Sequence, residues 1–302
     1  MNFSSFKAPK EKLIDFVGIG APRCATTWIY QCLKEHPQIC MSVPKETNYF
    51  LSSKKTKDYK SYFKDCKISQ LKGEFSTHYI FYPDKVIPRM KTQNQNVKLI
   101  VCLRNPIERA YSHYLFNKSF GGICSFFSFR QALNKEKILI KGGLYYSLLK
   151  KFYASFPREN ILVLIYEDIQ KDPLKFIQNI FKFLKVDDSF VPPSLNKKLN
   201  PRTDSRLYFP ILSQTISKFV YYSTKKQSGI LFHLYKFLKG ARVSKLTKVI
   251  RKINLRKRPE EFREYPSADT IDRETRKFLQ RIFSRDIKNL EKLINRDLDF
   301  WK

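Results

Sequence analysis

The chain has 302 residues and 42% hydrophobic content, enough to bury a sizeable core in one large domain or two small ones. Its 58 Lys and Arg against 27 Asp and Glu leave a net charge of +31. Such a surplus favours an anionic partner (nucleic acid, anionic membrane, an acidic polymer or a polyanionic cofactor), although a charge spread along the whole chain is equally accounted for by compositional drift toward Lys.

The six cysteines, at 24, 32, 40, 66, 102 and 124, form no C-x-x-C pair. That excludes a zinc pattern and a disulfide framework, and it reads as reduced thiols of an intracellular, cytoplasmic chain. No apolar signal core opens the sequence, and no apolar run approaches the ~18 residues of a spanning helix.

Residues 14–20 (IDFVGIG) predict a short buried strand. Residues 26–36 predict a helix with Trp28, Cys32 and Leu33 on one side, capped by Thr26 or Thr27 and ended by Pro37. A strand at 39–43, an aromatic stretch at 47–51, a basic segment of helical tendency at 52–67, a strand at 71–75 and a short helix at 83–91 follow. Residues 97–103 (VKLIVCL) are the clearest strand, and Pro106 opens a helix over 106–117. Next come helical stretches at 126–136 and 143–155, a strand at 161–166 and a helix at 173–184. Continuous apolar strands alternating with helices indicate a parallel sheet covered on both faces, with ligands bound beyond the carboxyl ends of the strands.

From about 187 the texture is loop-like, and 207–222 and 230–240 look helical. The basic run 242–258 has apolar residues at helical spacing, suited to an anionic membrane surface, an acceptor cleft or a solvated face. An amphipathic helix over 269–298 closes the chain, with apolar Phe278, Ile282, Leu290, Leu293 and Ile294 near helical spacing.

Two stretches carry chemistry. In DFVGIGAPRCATTWIYQCLKEHP (15–37) a strand runs into a turn and then a helix, as in a nucleotide triphosphate loop, but Gly-Lys-Ser/Thr is missing. The first-turn amides, the Thr26 and Thr27 hydroxyls and the planar cation of Arg23 would still form an anion site; an ordinary turn with a solvated Arg23 is the plainer alternative. In LIVCLRNPIERAYSHYLF (99–116), Arg104 just past a strand and Ser112 in the next helix can hold a second phosphate. Arg109 competes for that role, or forms a salt bridge with Glu108 or Asp84. Two anion sites at neighbouring strand ends suggest a nucleotide phosphorylated at both ends of its ribose.

Both stretches resemble the cofactor motifs of the sulfotransferases that use 3′-phosphoadenosine 5′-phosphosulfate (PAPS). The first resembles their 5′-phosphosulfate loop, and Leu103 to Tyr114 their 3′-phosphate segment. HPQICMSVPKETNYF (36–50), GEFSTHYIFYP (73–83), the 156–184 region and the ending FSRDIKNLEKLINRDLDFW look like further family segments. The resemblance implies a P-loop-NTPase-like three-layer α/β fold with a central parallel sheet flanked by helices, plus a helical C-terminal elaboration. It would be a single domain over 1–302, with its core at about 14–186 and 270–301 and a basic helical insertion at about 200–265.

The resemblance further implies that Arg23 binds the bridging region of the phosphosulfate. Thr26 and Thr27, with the amides of Cys24, Ala25 and Trp28, hold its 5′-phosphate and sulfate oxygens. Arg104 and Ser112 hold the 3′-phosphate, and Glu46 takes the acceptor's proton. His78 is the alternative base, or a packed core residue. No metal is required.

Three departures stand out. Ala25 replaces a common glycine, which suggests that φ stays negative there. Arg23 replaces the commoner lysine and cannot donate its proton. Phe75 stands where glycosaminoglycan-modifying members often carry lysine, so Lys45 is the candidate source of that charge. The aromatic clusters (Phe126, Phe127, Phe129; Tyr145, Tyr146) read as core, with Tyr145 a candidate adenine contact and Arg202 a candidate late anion contact. The expected reaction is sulfuryl transfer from PAPS to a hydroxyl or amine of a carbohydrate or glycolipid, with possible peripheral contact to anionic membrane and no nucleic-acid partner. The rivals are a P-loop-type nucleotide kinase or NTPase, and a non-enzymatic basic module binding nucleic acid or membrane.

Overall fold

The computed structural model describes residues 12–53, 56–119, 124, 127–197, 205–207, 255–257 and 271–301. The chain forms two compact units, one of residues 1–109, 144–199 and 281–302 and the other of residues 110–143 and 200–280.

The first unit contains five strands, β1 (Phe16–Gly20), β2 (Ile39–Met41), β3 (Leu71–Phe75), β4 (Lys98–Leu103) and β5 (Ile161–Ile165). They form one parallel sheet in the order β2–β3–β1–β4–β5. Parallel neighbours require crossovers, and helices supply them: α1 (Thr26–Glu35), α2 (Thr56–Lys60) and α3 (Pro83–Gln93) lie between successive strands. β1 is buried at every residue and β4 at all but Lys98, as their continuous apolar sequences require of strands covered on both faces.

Two glycines make the central pairing possible. Phe16 is registered with Gly73 and Gly18 with Phe75. A Cβ on Gly73 would lie 2.0 Å from the Phe16 ring, and one on Gly18 would lie 2.3 Å from the Phe75 ring. Each ring occupies the space its partner's missing side chain leaves.

Beyond β4, α4 (Pro106–Ser119) opens on Asn105, whose Oδ1 accepts the amides of Ile107 (2.9 Å) and Glu108 (3.4 Å). The later helices are α5 (Phe129–Lys135), α6 (Lys137–Lys141), α7 (Tyr145–Tyr153), α8 (Glu167–Lys171), α9 (Pro173–Leu184) and α10 (Arg273–Ile294). α9 is capped by Asp172, which accepts Lys175 N–H at 2.9 Å, and it buries Phe176, Ile177, Ile180, Phe181 and Leu184. Asp286 on α10 accepts the amides of Tyr146 (2.9 Å) and Ser147 (3.1 Å) at the start of α7.

In the second unit, α5 begins with a reciprocal Ser128–Gln131 capping box. Tyr111, Tyr114 and Phe129 form an aromatic cluster, which bears out the core reading of Phe129. Ser205–Leu207 pairs antiparallel with Leu255–Lys257. The end of the basic run is therefore a strand and not a helix, because pairing with a distant segment overrides local spacing.

The structure departs from the sequence-based expectations elsewhere too. The buried line of α10 runs through Leu279, Phe283, Ile287 and Leu290. Of the five apolar residues expected there only Leu290 is buried, since Phe278 is instead covered by the Arg130 guanidinium 3.6 Å from its centroid and the other three are partly exposed. Cys40 and Cys66 form a disulfide, while Cys24, Cys32, Cys102 and Cys124 are free and buried. The pairing needs no C-x-x-C spacing because the end of β2 meets the segment after α2: Val43 N–H donates to Tyr62 O at 3.1 Å. The thiol argument for an intracellular chain therefore does not hold for these two residues. The helical readings at 207–222 and 230–240, most of 242–258, Arg202 and Phe126 lie outside the described residues. No helix among the described residues is long and apolar enough to cross a membrane.

Candidate active site

The loops that follow β1, β2, β3 and β4 all leave the carboxyl ends of the parallel sheet, and β1 lies between the strands on which the chain order reverses. After β1, Ala21 N–H donates to Cys102 O at 2.9 Å and ties the loop to β4. The backbone then takes positive φ at Arg23 (72°) and at Ala25 (54°). Alternation of this kind aims successive amides into one concavity, the geometry of an anion nest. It overturns the expectation of negative φ at Ala25. The alanine adopts the left-handed conformation usually given to glycine, at a cost of about 1–2 kcal/mol.

Ala25, and neither Thr26 nor Thr27, is the N-cap of α1, without a side-chain cap bond. Ile29 N–H bonds to Ala25 O at 3.1 Å. The amides of Thr26, Thr27 and Trp28 precede it, so they have no intrahelical acceptor and sit at the positive end of the helix dipole. The side chains of Cys24 and Trp28 point elsewhere. Cys24 is fully buried with its thiol pushed up to about 12 by burial. The Trp28 indole donates to Ser194 O (3.2 Å) and Leu195 O (3.1 Å). These two residues can offer an anion only their backbone. Arg23 is half-buried.

Beyond β2, Lys45 Nζ donates to Glu46 Oε1 at 2.5 Å and to Thr26 Oγ1 at 3.4 Å. Glu46 Oε2 accepts the Thr77 amide at 2.9 Å, and Thr77 Oγ1 lies 3.3 and 3.4 Å from the two carboxylate oxygens. Loop hydroxyl, ammonium and carboxylate thus form one hydrogen-bonded line across the ends of β1, β2 and β3. The Lys45 side chain is 16% exposed and that of Glu46 37%. The cation is covered while the carboxylate reaches solvent. Burial lowers the Lys45 pKa and Glu46 opposes that shift. The same ammonium lies 5.8 Å from the centroid of Phe75, so Lys45 brings a positive charge beside the position where the resemblance implies lysine. His78, the alternative base, is exposed and meets Phe81 edge-on at 6.0 Å, so it is not a packed core histidine.

Beneath Glu46 lies a carboxylate that the sequence analysis did not single out. Glu74, on β3, is fully buried. It accepts hydrogen bonds from Tyr59 OH (3.1 Å), Tyr79 OH (3.1 Å), Ser76 Oγ (3.3 Å) and Thr47 Oγ1. Burial pushes its carboxyl up to about 7, against the pull of the four hydroxyls. An acidic residue inside LKGEF, a strand between two paired neighbours, was the available signal: a charge so placed needs dedicated donors.

At the end of β4 the Arg104 guanidinium stacks 4.6 Å from the Tyr166 ring centroid, and its Nη2 is 3.8 Å from Glu108 Oε2. Its Nε is buried with no hydrogen-bond partner among the described residues. A guanidinium held in place with a donor to spare is suited to an anion. Tyr145 OH donates to Arg104 O at 2.8 Å, and Tyr145 is 1% exposed beside Trp301. It is a core residue, buried too deeply for an adenine contact. Arg109 is fully buried, and burial pulls its pKa down. Asp84, offered above as its partner, pairs with Lys151 at 2.6 Å. Ser112 is buried in the portion of α4 that belongs to the second unit.

The chain matches the family model of the sulfotransferase domain over residues 13–203. It is 36% identical over 110 residues to the membrane-associated sulfotransferase kil1 of Dictyostelium discoideum, covering 35% of this chain and 23% of that protein. It is 24% identical over 204 residues to the bifunctional heparan sulfate N-deacetylase/N-sulfotransferase 2 of Homo sapiens, covering 59% of this chain and 23% of that protein. The chain therefore matches less than a quarter of the length of each of these relatives. Among solved structures, a sulfotransferase from Alicyclobacillus acidocaldarius aligns with a TM-score of 0.64 at 21% identity, covering 95% of this chain and 98% of that one. Mouse sulfotransferase SULT7A1 complexed with PAP aligns with a TM-score of 0.50 at 14% identity, covering 94% and 88%. At these identities the structural likenesses speak for the fold. With the family model spanning the sheet and the loops at its carboxyl ends, the chain belongs to the sulfotransferase family and has a P-loop-like α/β fold.

Proposed function

We propose that the chain transfers the sulfuryl group of PAPS to a hydroxyl or amine of a carbohydrate or glycolipid, by in-line displacement with Glu46 as base. The observation that carries this reading is the line from Thr26 through Lys45 to Glu46, which joins an anion-directed loop to a solvent-reaching carboxylate. The amides of residues 24–28 and the hydroxyls of Thr26 and Thr27 bind the 5′-phosphate and sulfate oxygens. Arg104, with its spare Nε donor, binds the 3′-phosphate, and the motif assigns Ser112 to the same group. Glu46 accepts the acceptor's proton as its oxygen or nitrogen attacks sulfur. The bond from sulfur to the 5′-phosphate oxygen breaks, and 3′,5′-adenosine bisphosphate leaves. Arg23 and Lys45 stabilise the charge that develops on the departing phosphate, Arg23 without giving up its proton. The scheme asks for no metal ion.

The net charge of +31 supports an acidic glycan acceptor or contact with an anionic membrane, and the two relatives, one a heparan sulfate N-deacetylase/N-sulfotransferase and one a membrane-associated sulfotransferase, point the same two ways. Phe75 argues against carrying heparan specificity over unchanged.

The test is thermal unfolding with 3′,5′-adenosine bisphosphate, AMP or ATP-magnesium, followed by PAPS turnover against a panel of oligosaccharides and glycolipids. At one hundred times its dissociation constant the bisphosphate should stabilise by about 2.7 kcal/mol. Glu46→Gln should keep that shift and lose most turnover. A shift with ATP-magnesium alone would move the reading to a kinase, and near wild-type turnover in Glu46→Gln would remove Glu46 as the base.

A further inference from the structure

We infer that Glu74 is the positioning residue of the proposed base: it fixes the backbone that follows Glu46 by orienting the hydroxyls of a buried network. The inference rests on the reading of Glu46 as base. Above about pH 7, where Glu74 is ionised, its carboxylate only accepts, so each hydroxyl that bonds it must spend its proton there. Three of the four then turn a lone pair to the chain that follows Glu46. Ser76 Oγ accepts the Asn48 amide at 3.1 Å, Thr47 Oγ1 accepts the Tyr49 amide at 3.2 Å, and Tyr79 OH accepts the Phe50 amide at 3.2 Å.

Three consecutive amides, beginning two residues after Glu46, are therefore held by hydroxyls that Glu74 has oriented. Asn48 among them has a φ of 50°, a conformation that needs outside support. On the other side, Ser76 precedes Thr77, whose amide holds the Glu46 carboxylate. Tyr59, the fourth donor, stacks on Tyr49 at 4.1 Å and closes the network from α2. Glu74 is fully buried and touches neither acceptor nor nucleotide, so it acts only through this frame.

Glutamine at 74 keeps the shape but replaces one acceptor oxygen with a donor. The pair of hydroxyls that meets the new N–H group, Tyr59 and Tyr79 or Ser76 and Thr47, must turn its protons elsewhere, and either pair includes a hydroxyl that holds a backbone amide, whose bond is weakened. Glu74→Gln is expected to raise hydrogen exchange at the amides of residues 48–50 at least tenfold. It is expected to lower kcat at least tenfold with the best acceptor of the panel, while KM for PAPS and the bisphosphate thermal shift stay within twofold of wild type. Because Glu74 acts through Glu46, adding Glu74→Gln to Glu46→Gln should cost no further activity.

Unchanged exchange at 48–50, or unchanged kcat beside an inactive Glu46→Gln, would overturn the inference. So would an equal loss of activity in both backgrounds, which marks a merely structural residue. Near wild-type activity in Glu46→Gln is a separate result and removes the base reading itself. If Glu74→Gln does not fold, Thr47→Val cuts a single link of the network. It should show the same kcat loss with unchanged KM for PAPS, and full activity in that variant would equally overturn the inference.

Discussion

Glu74 should leave a signature in the pH dependence of stability that a single substitution removes. Its carboxyl titrates at about 7 in the folded chain, against 4.5 for an unperturbed glutamate. Between those values the folded state holds a proton that the unfolded state has released. The contribution to stability is therefore complete below about 4.5, falls as pH rises, and is gone above about 7. A difference of that size corresponds to about 3 kcal/mol, or a melting shift on the order of 5 °C for a chain this long. Glutamine cannot titrate, so Glu74→Gln should lack the decline. The assay is thermal or urea unfolding of both proteins from pH 4.5 to 8.5, read as the difference between the two curves. Every other titrating group is common to both proteins and cancels. Parallel curves over that window would refute the argument that burial outweighs four hydroxyl donors.

Other outcomes follow from the same geometry. Arg104→Ala should weaken 3′,5′-adenosine bisphosphate at least tenfold by calorimetry and leave AMP within twofold; equal weakening of both would take Arg104 out of the 3′-phosphate site. Gly18→Ala puts a Cβ 2.3 Å from the Phe75 ring and should cost about 1–3 kcal/mol in urea unfolding, part of it recovered when Phe75→Leu is added. An unaltered midpoint would mean that the ring yields freely. The Cys40–Cys66 disulfide closes a loop with a sequence separation of 26, worth about 3 kcal/mol. A thiol reductant should lower the melting temperature of the wild-type chain and leave the double Cys40→Ser, Cys66→Ser variant unmoved. No response in the wild type would return these cysteines to the reduced state first expected of them.

Local sequence is enough for the alternation of strands and helices. Phe16–Gly20, Lys98–Leu103 and Ile161–Ile165 are continuous apolar runs, and Asn105–Pro106 and Asp172–Pro173 mark helix starts by local chemistry that needs no distant partner. It also brought Arg23, Glu46 and Arg104 to notice, because the motifs that carry them are contiguous.

Other features arise only where segments far apart in the chain come together. Ala25 takes positive φ within a loop pinned to β4 through Cys102, a contact across 81 positions of sequence that no local preference reports. Cys40 meets Cys66 because β2 and the segment after α2 converge. The line Thr26–Lys45–Glu46–Thr77 is assembled from the ends of three strands, and Glu74 becomes a hub only where Thr47, Tyr59, Ser76 and Tyr79 close around it. The physical reason is common to all of these. Propensity and capping act over a turn or two of chain, whereas the direction of a buried hydrogen bond and the cost of a buried charge are set by whichever groups the sheet order brings together.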